Sequence, residues 1–154
     1  MNNKDITAER VSRTASFIIN APVDTVFPLF GAFEERKWAE GWEPVLIYPS
    51  AEVIEEGTTF RTKAYDQEEL DYIWRVNQYV PADHLIQYLV FTPNRYWTIT
   101  VQCVSLSADQ TQTHVTYTYL GLNQLGNRLN QQSIDRMYAD NLEDWAAAIH
   151  QYLS

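Results

Sequence analysis

The order of the predicted elements constrains the fold of this chain more than any other sequence feature. A strand-like run, Arg13–Ile19, comes first, and further strand-like runs follow one another from about Glu43 to Leu122. No helical pattern lies among them, and parallel strands would need crossover helices. The sequence therefore predicts an antiparallel meander closed by one C-terminal helix. A twisted sheet with a helix across its concave face tends to enclose a hollow.

Two short helices are predicted between the first strand and the meander. Asn20 is the expected N-cap of the first helix, and Pro22 suits a first turn, where its missing N–H group is not needed. Pro28 should kink or end this helix. Residues 33–40 are predicted to form the second short helix, with its charges mostly on a solvated face.

Alternation along the strands predicts which side chains face the helix and the hollow. Three runs alternate apolar with polar residues, whereas Leu85–Thr92 is apolar on both faces and receives no assignment. The predicted inward sets are Tyr72, Trp74 and Val76; Trp97, Ile99, Val101 and Cys103; and Val115, Tyr117 and Tyr119.

The C-terminal segment has the three-and-four spacing of a helix buried along one face. The helix is expected to start near Gly126 or Asn127 and to continue to the end of the chain. Its apolar positions are Ile134, Met137, Tyr138, Leu142, Trp145, Ala146, Ile149 and Leu153.

Size and charge limit the classes of function. At 154 residues the chain is expected to form one domain, residues 12–154, after a loose N-terminal segment, 1–11. Lys and Arg total 11 against 20 Asp and Glu, which gives a net charge of −9. Such a charge opposes binding to DNA, RNA or an anionic membrane.

No apolar signal region or stretch of ~20 apolar residues is present, so a cytoplasmic protein without integral membrane association is expected.

Motifs for cofactor or metal chemistry are not found in the sequence. None of the 5 glycines has the spacing of a phosphate-binding loop, and no Gly-x-Ser-x-Gly elbow is present. The three histidines, His84, His114 and His150, have no spacing typical of metal ligands. No cofactor and no metal site are therefore predicted.

Aromatic side chains are the main candidates for binding a ligand, since Trp and Tyr combine an apolar face with a polar group. The chain has 5 Trp and 10 Tyr. The candidate ligand-binding residues are Trp38, Trp42, Trp74, Trp97, Tyr117, Tyr119, Met137 and Tyr138. The candidate polar groups of a pocket are Glu40, Arg61, Asp71 and Arg75. For the two strand arginines, a solvated position is the favoured interpretation, because charged residues are seldom fully buried.

Several segments resemble one superfamily. The strand followed by Asn20-Ala21-Pro22-Val23-Asp24-Thr25-Val26-Phe27 resembles the opening of START-like proteins, also called SRPBCC or polyketide cyclase/dehydrase-like proteins. Residues 35–44, 87–93 and 115–119 resemble segments of uncharacterised bacterial members. The resemblance implies a helix-grip α+β fold, in which a curved seven-stranded antiparallel sheet surrounds a long C-terminal helix and two short helices follow the first strand.

The resemblance implies binding or transport of a small, mostly apolar or aromatic molecule between the sheet and the C-terminal helix. An alternative is a polyketide cyclase-, dehydratase- or hydrolase-like enzyme that uses the same cavity, with catalytic residues unknown. A further alternative is a protein-interaction module with a filled core. The sequence leaves the ligand, any reaction and the oligomeric state open.

Overall fold

Seven strands form one antiparallel sheet in the order β1-β7-β6-β5-β4-β3-β2 in the computed structural model, which describes residues 7–66 and 68–154. All neighbouring strands except β1 and β7 are consecutive in the chain, so the predicted meander is confirmed. The strands are β1 (Arg10–Ile19), β2 (Val45–Tyr48), β3 (Thr59–Lys63), β4 (Asp71–Val80), β5 (Leu85–Phe91), β6 (Arg95–Ser107) and β7 (Gln110–Gly121).

The first strand begins earlier than the sequence indicated. Arg10 and Val11 pair with Leu120 and Tyr119 of β7, so β1 overlaps the segment 1–11 that was expected to be loose. Residues 1–6 of that segment lie outside the described residues. The long β1–β7 pairing closes the meander at one edge of the sheet.

The two short helices after β1 are confirmed, but the predicted cap is wrong. Helix α1 (Val23–Val26) continues into a 3-10 turn at Phe27–Phe30, and a second 3-10 turn spans Glu34–Lys37. Pro22 occupies the N-cap position of α1. The Asn20 side chain instead accepts a hydrogen bond from Gln110 Nε2 at 3.1 Å, which ties the end of β1 to β7.

The C-terminal helix is interrupted. Helix α2 (Gln124–Met137) and helix α3 (Glu143–Leu153) are separated by Asn141 and Leu142, both in the left-handed region with φ of 55° and 61°. A non-glycine residue there costs about 1–2 kcal/mol. Burial of the Leu142 side chain, only 1% exposed, offsets that cost, since burying a Leu contributes about 1.5–3 kcal/mol.

Helix α2 starts two residues before the predicted Gly126. The Asn123 side chain caps it, accepting a hydrogen bond from Gly126 N at 2.8 Å. A side chain at position 126 would place its Cβ 1.9 Å from the carbonyl oxygen of Asn94. Glycine therefore allows the start of α2 to approach the turn between β5 and β6.

The inner face of the sheet, which points toward α2 and α3, carries the predicted apolar sets. Every side chain assigned inward by alternation is buried, and in β5 the buried side chains are Ile86, Tyr88 and Val90. The core lies between this face and the helices. Packing thus settles the orientation of β5, which its sequence could not.

A buried ion pair fastens α2 to the sheet. Arg95, at the start of β6, is 1% exposed, and its Nη2 lies 2.8 Å from Glu69 Oε1, whose side chain is also 1% exposed. Its other contacts include Asp66 Oδ2 at 3.4 Å, Ser133 Oγ of α2 at 3.0 Å and the hydroxyl of Tyr72 at 3.2 Å. One guanidinium therefore joins β4, β6, α2 and the turn before β4.

We predict that Arg95→Met lowers the free energy of unfolding by about 3–5 kcal/mol, because it leaves the Glu69 carboxylate buried without a cation. The double variant Arg95→Met/Glu69→Leu should recover most of this loss. Urea unfolding of the single and double variants measures the coupling.

Arg128→Met is the control, because it breaks the Arg128–Glu68 pair, whose side chains are 51% and 45% exposed. It should have a much smaller effect on stability. Similar losses for Arg95→Met and Arg128→Met would contradict the importance assigned to the buried pair.

Candidate functional site

A cavity of about 1270 Å³ lies between the inner face of the sheet and the helices. This volume exceeds the roughly 300–1,000 Å³ usual for a small-molecule site. The segment 35–43, which begins within the second 3-10 turn, forms part of the wall, and α2 and α3 form the opposite part. The cavity is therefore enclosed by three separate parts of the chain.

The deep wall is mostly aromatic. The contributing strand side chains are Tyr72, Trp74, Tyr88, Trp97, Ile99, Val101, Tyr117 and Tyr119; Trp38 and Trp42 come from the segment 35–43, and Met137, Trp145 and Ala148 come from the helices. The rings also pack on one another: Trp42 and Trp74 lie 5.2 Å apart and nearly perpendicular, and Trp97 and Tyr119 also lie 5.2 Å apart. Such ring pairs hold the wall in a defined shape.

Three of the indole N–H groups are already used within the protein. Trp38 Nε1 donates to Leu29 O at 2.7 Å, and Trp42 Nε1 donates to Ala32 O at 2.6 Å. Trp74 Nε1 donates to the hydroxyl of Thr62 at 2.9 Å. These bonds fix the ring orientations, so that the three rings offer a ligand their π surfaces rather than their N–H donors.

Seven of the eight candidate ligand-binding residues line the cavity: Trp38, Trp42, Trp74, Trp97, Tyr117, Tyr119 and Met137. Tyr138 lies instead in the core at the end of α2, 1% exposed. Its hydroxyl is 2.8 Å from Arg13 O and accepts a hydrogen bond from Tyr117 N at 3.2 Å. Tyr138 thus fastens α2 to β1 and β7, and contact of the other seven with a ligand stays a prediction.

The candidate polar groups divide into two sets. Glu40 is exposed and lies among the residues around the mouth of the cavity. Arg61, Asp71 and Arg75 are exposed on the outer face, since they alternate with the buried Phe60, Thr62, Tyr72, Trp74 and Val76. Arg61 and Arg75 therefore lie in solvated positions, as the favoured interpretation of the sequence predicts.

Glu35 is a polar group of the cavity that the sequence analysis missed. It lies in the second 3-10 turn, is half-buried and lines the cavity. Among the described residues, its carboxylate has no hydrogen-bond or ion-pair partner. Residues i and i+3 of a 3-10 helix lie on the same side. The position of Glu35, three residues before Trp38, was therefore the available signal.

Burial alone raises the pKa of Glu35 well above its ordinary value, because no cation compensates the loss of hydration. Burial also raises the pKa of Tyr88 and Tyr117, and the nearby Glu35 carboxylate adds to both shifts. Tyr88 donates its hydroxyl hydrogen to Phe30 O at 2.6 Å. The Tyr117 hydroxyl has no partner among the described residues, so Glu35 and Tyr117 are the polar groups best placed to meet a ligand.

Charged side chains surround the mouth of the cavity, with the acidic ones in excess. The acidic side chains are Glu40, Glu43, Asp140 and Asp144, and the basic ones are Arg36, Lys37 and Arg136. Arg36 pairs with Glu52 at 2.6 Å, and Lys37 pairs with Glu34. Because two of the three cations are already paired, the field at the mouth is negative.

A metal site and a membrane-spanning helix are both absent from residues 7–66 and 68–154. Within these ranges, no group of three or more His, Cys, Asp or Glu side chains is arranged to hold a metal ion. None of the described helices combines the length and apolar character needed to cross a bilayer.

Comparison with protein-family models gives no match, and comparison with curated proteins gives none. Solved structures do match. Norcoclaurine synthase from Thalictrum flavum superposes with a TM-score of 0.67 at 12% identity, over 99% of this chain and 90% of that chain. A putative uncharacterized protein from Rhizobium leguminosarum gives a TM-score of 0.62 at 18% identity, over 92% of this chain and 97% of that chain.

At these identities the likeness concerns the fold. The chain has the helix-grip fold of START-like proteins, with a curved seven-stranded antiparallel sheet, and the sequence resemblance is confirmed at this level. The norcoclaurine synthase was also solved in complex with dopamine and hydroxybenzaldehyde. That structure matches this chain with the same TM-score of 0.67 and 12% identity.

We predict that Glu35→Gln removes the loss of folding stability that the Glu35 carboxyl group causes as the pH rises. A carboxyl group with a raised pKa in the folded state binds more protons there than in the unfolded chain. The stabilisation that this proton binding gives to the folded state is fully present below the ordinary pKa of about 4.3. It is lost as the pH rises through the folded-state pKa. The melting temperature of Glu35→Gln relative to the natural protein should therefore be higher at pH 8 than at pH 5.

The neighbouring Glu34→Gln is the control, because the Glu34 side chain is 44% exposed and pairs with Lys37. Its melting temperature relative to the natural protein should not rise in the same way between pH 5 and pH 8. A flat difference for Glu35→Gln across this range would contradict a raised pKa at Glu35.

Proposed function

We propose that this protein binds a small, mostly apolar, ring-containing molecule in the cavity between its sheet and its C-terminal helices. The observation that carries the proposal is the cavity of about 1270 Å³ with a deep aromatic wall. Apolar cavities with a few polar groups are the usual form of small-molecule sites. Burial of the ligand's apolar surface would supply most of the affinity.

Two further observations support this proposal. The fixed indole rings mean that the wall needs little ordering when a ligand enters, which lowers the cost of binding. A structural neighbour of the same fold, norcoclaurine synthase, binds small aromatic molecules, as its complex with dopamine and hydroxybenzaldehyde records. A protein-interaction module with a filled core, the third function weighed from the sequence, would leave no such cavity.

We predict that Ala148→Trp lowers the affinity for the neutral probe N-phenyl-1-naphthylamine at least about tenfold, because an indole at this position would occupy cavity volume. Ala148 lies on α3 and lines the cavity. Titration followed by probe fluorescence gives the dissociation constant and stoichiometry, expected to be one probe per chain.

Ala147→Trp is a matched control, because Ala147 is the exposed neighbour of Ala148 on the same helix. Ala147→Trp changes helix propensity as much as Ala148→Trp does, but its indole does not fill the cavity. Its affinity for the probe should equal that of the natural protein. Equal affinities for Ala148→Trp and Ala147→Trp, or no probe binding by the natural protein, would contradict binding in this cavity.

An enzymatic function is the second candidate, and the unpartnered Glu35 carboxyl near Tyr117 favours it. A carboxyl group whose pKa is raised by burial in a cavity is suited to general acid–base catalysis. In a hydrolase-like reaction, Glu35 would take a proton from water as the water oxygen bonds to the ester carbonyl carbon, and the Tyr117 hydroxyl would donate a hydrogen bond to the carbonyl oxygen. The ester C–O bond would then break, and Glu35 would return the proton to the leaving alcohol.

Hydrolysis of 1-naphthyl acetate tests this candidate. If the protein is a hydrolase, Glu35→Gln and Tyr117→Phe should each lower the rate by about 10²-fold or more while the probe still binds. Glu34→Gln should hydrolyse the ester at the natural rate. Hydrolysis no faster than in buffer, or equal rates in all variants, would count against this reaction.

A further inference from the structure

We infer that the ligand of this cavity carries a protonated amine on its ring-containing body and that the Glu35 carboxylate is the counter-ion of this amine. The inference rests on the proposed function, binding of a small molecule in the cavity, and adds the chemical class of the ligand. It is carried by the unpartnered carboxyl group, the aromatic wall and the charges at the mouth.

The first observation is that Glu35 has a carboxyl group inside the cavity wall without a cation beside it. Arg36 and Lys37, the adjacent basic residues, pair with Glu52 and Glu34 instead. The Glu35 side chain is half-buried, and a carboxylate that faces a mostly aromatic wall loses part of its hydration, which an ion-pair partner would offset. A ligand cation would supply the partner that the described residues do not.

The second observation is the character of the surrounding wall. The rings of Trp38, Tyr88, Tyr117 and Trp145 line the same cavity as Glu35. The face of an aromatic ring attracts a cation through its quadrupole, and Trp does so most strongly. A carboxylate that shares a cavity with several aromatic rings thus forms the kind of site that recognises an ammonium group on an apolar body.

The third observation concerns access. Four acidic side chains lie around the mouth, and Arg136 is the basic side chain there that has no ion pair among the described residues. A mouth with an excess of one charge raises the local concentration of ligands of the opposite charge. With a net charge of −9, the whole chain also attracts cations and repels anions.

The groups that face Glu35 from the other elements are phenols and one cation. They are Tyr65 after β3, Tyr88 of β5 and Tyr117 of β7, and Arg136 of α2 lies near Tyr65. Phenols with raised pKa values are neutral near pH 7, so they do not compete for an ammonium group as bases. Arg136 forms no ion pair with Glu35 among the described contacts, which leaves the carboxylate available.

Proton linkage follows from this arrangement. The Glu35 carboxyl group holds its proton more strongly in the empty cavity than in water, and pairing with an ammonium group requires the ionised form. Binding of an amine should therefore strengthen as the pH rises from 5 to 8, while an aliphatic amine stays protonated. Binding of a neutral ligand of the same shape should not strengthen over this range.

Matched probes test the inference: 2-(1-naphthyl)ethylamine, which is cationic, and 2-(1-naphthyl)ethanol, which is neutral and similar in shape. Isothermal titration calorimetry at pH 8 should show the amine binding about tenfold more tightly than the alcohol, the difference typical of a charge-assisted contact. Glu35→Gln should reduce this preference to about twofold or less, and the control Glu34→Gln should keep it.

The pH dependence of the natural protein gives a second readout that needs no variant. Amine binding at pH 6 in two buffers of different ionisation enthalpy should reveal release of protons, and alcohol binding should not. Equal affinities for amine and alcohol in the natural protein would overturn the inference and leave cavity binding intact. Failure of both probes to bind would instead overturn the proposed function, so the two failures are distinguishable.

Discussion

The buried ion pair of Arg95 adds a polar connection to the backbone pairing of the sheet and to the Tyr138 contacts that hold α2. The guanidinium contacts Glu69 before β4 and Ser133 on α2 from its own place at the start of β6. Its Cζ atom also lies 4.7 Å from the centre of the Trp97 ring, which belongs to the cavity wall. Arg95 and Tyr138 together hold α2 against the sheet beside the cavity, so the shape of the cavity depends on both side chains.

Because α2 is held against the sheet, the large side chains of the inner face line the space between sheet and helices rather than fill it. Aromatic rings that already pack against each other and use their N–H groups within the protein cannot collapse into the remaining space without breaking those contacts. The result is a preformed hollow whose free polar groups are few. Glu35 and Tyr117 therefore have a large influence on which molecules the hollow can accept.

The strands were predictable because their side chains alternate and their turns are marked by proline and polar residues. The aromatic side chains Trp74, Trp97 and Tyr119 could be assigned to the inner face for the same reason. The break at Asn141 and Leu142 was not predicted, because the apolar three-and-four spacing continues across it. Asp140-Asn141 was the local signal, since these side chains compete with helical hydrogen bonding and Asn tolerates the left-handed region.

Arg95 could not be assigned from local sequence, because its partner lies far along the chain, and the spacing to Trp38 was the local signal for Glu35. The segment Pro93-Asn94-Arg95 has the composition of an exposed turn. Arg95 is buried nevertheless, because it pairs with Glu69, which lies 26 residues earlier. Glu35 lies among charged residues that are indeed solvated, and only the curvature of the sheet brings it near Tyr88 and Tyr117. Burial of a charge is a property of the assembled fold rather than of a segment.

The interruption between α2 and α3 assigns two roles to two helices. One helix is anchored by the buried polar contacts, and the other contributes more of the cavity lining. Helix α2 is clamped by Arg95 and Tyr138, whereas α3 contributes Asp144, Trp145 and Ala148 to the cavity and begins after the left-handed turn. Regular helical hydrogen bonding does not run through residues 138–142. Each helix therefore has its own attachment to the sheet: α2 is held by Arg95 and Tyr138, and α3 is held at the end of β1, where His150 Nε2 accepts a hydrogen bond from Asn20 N at 3.0 Å.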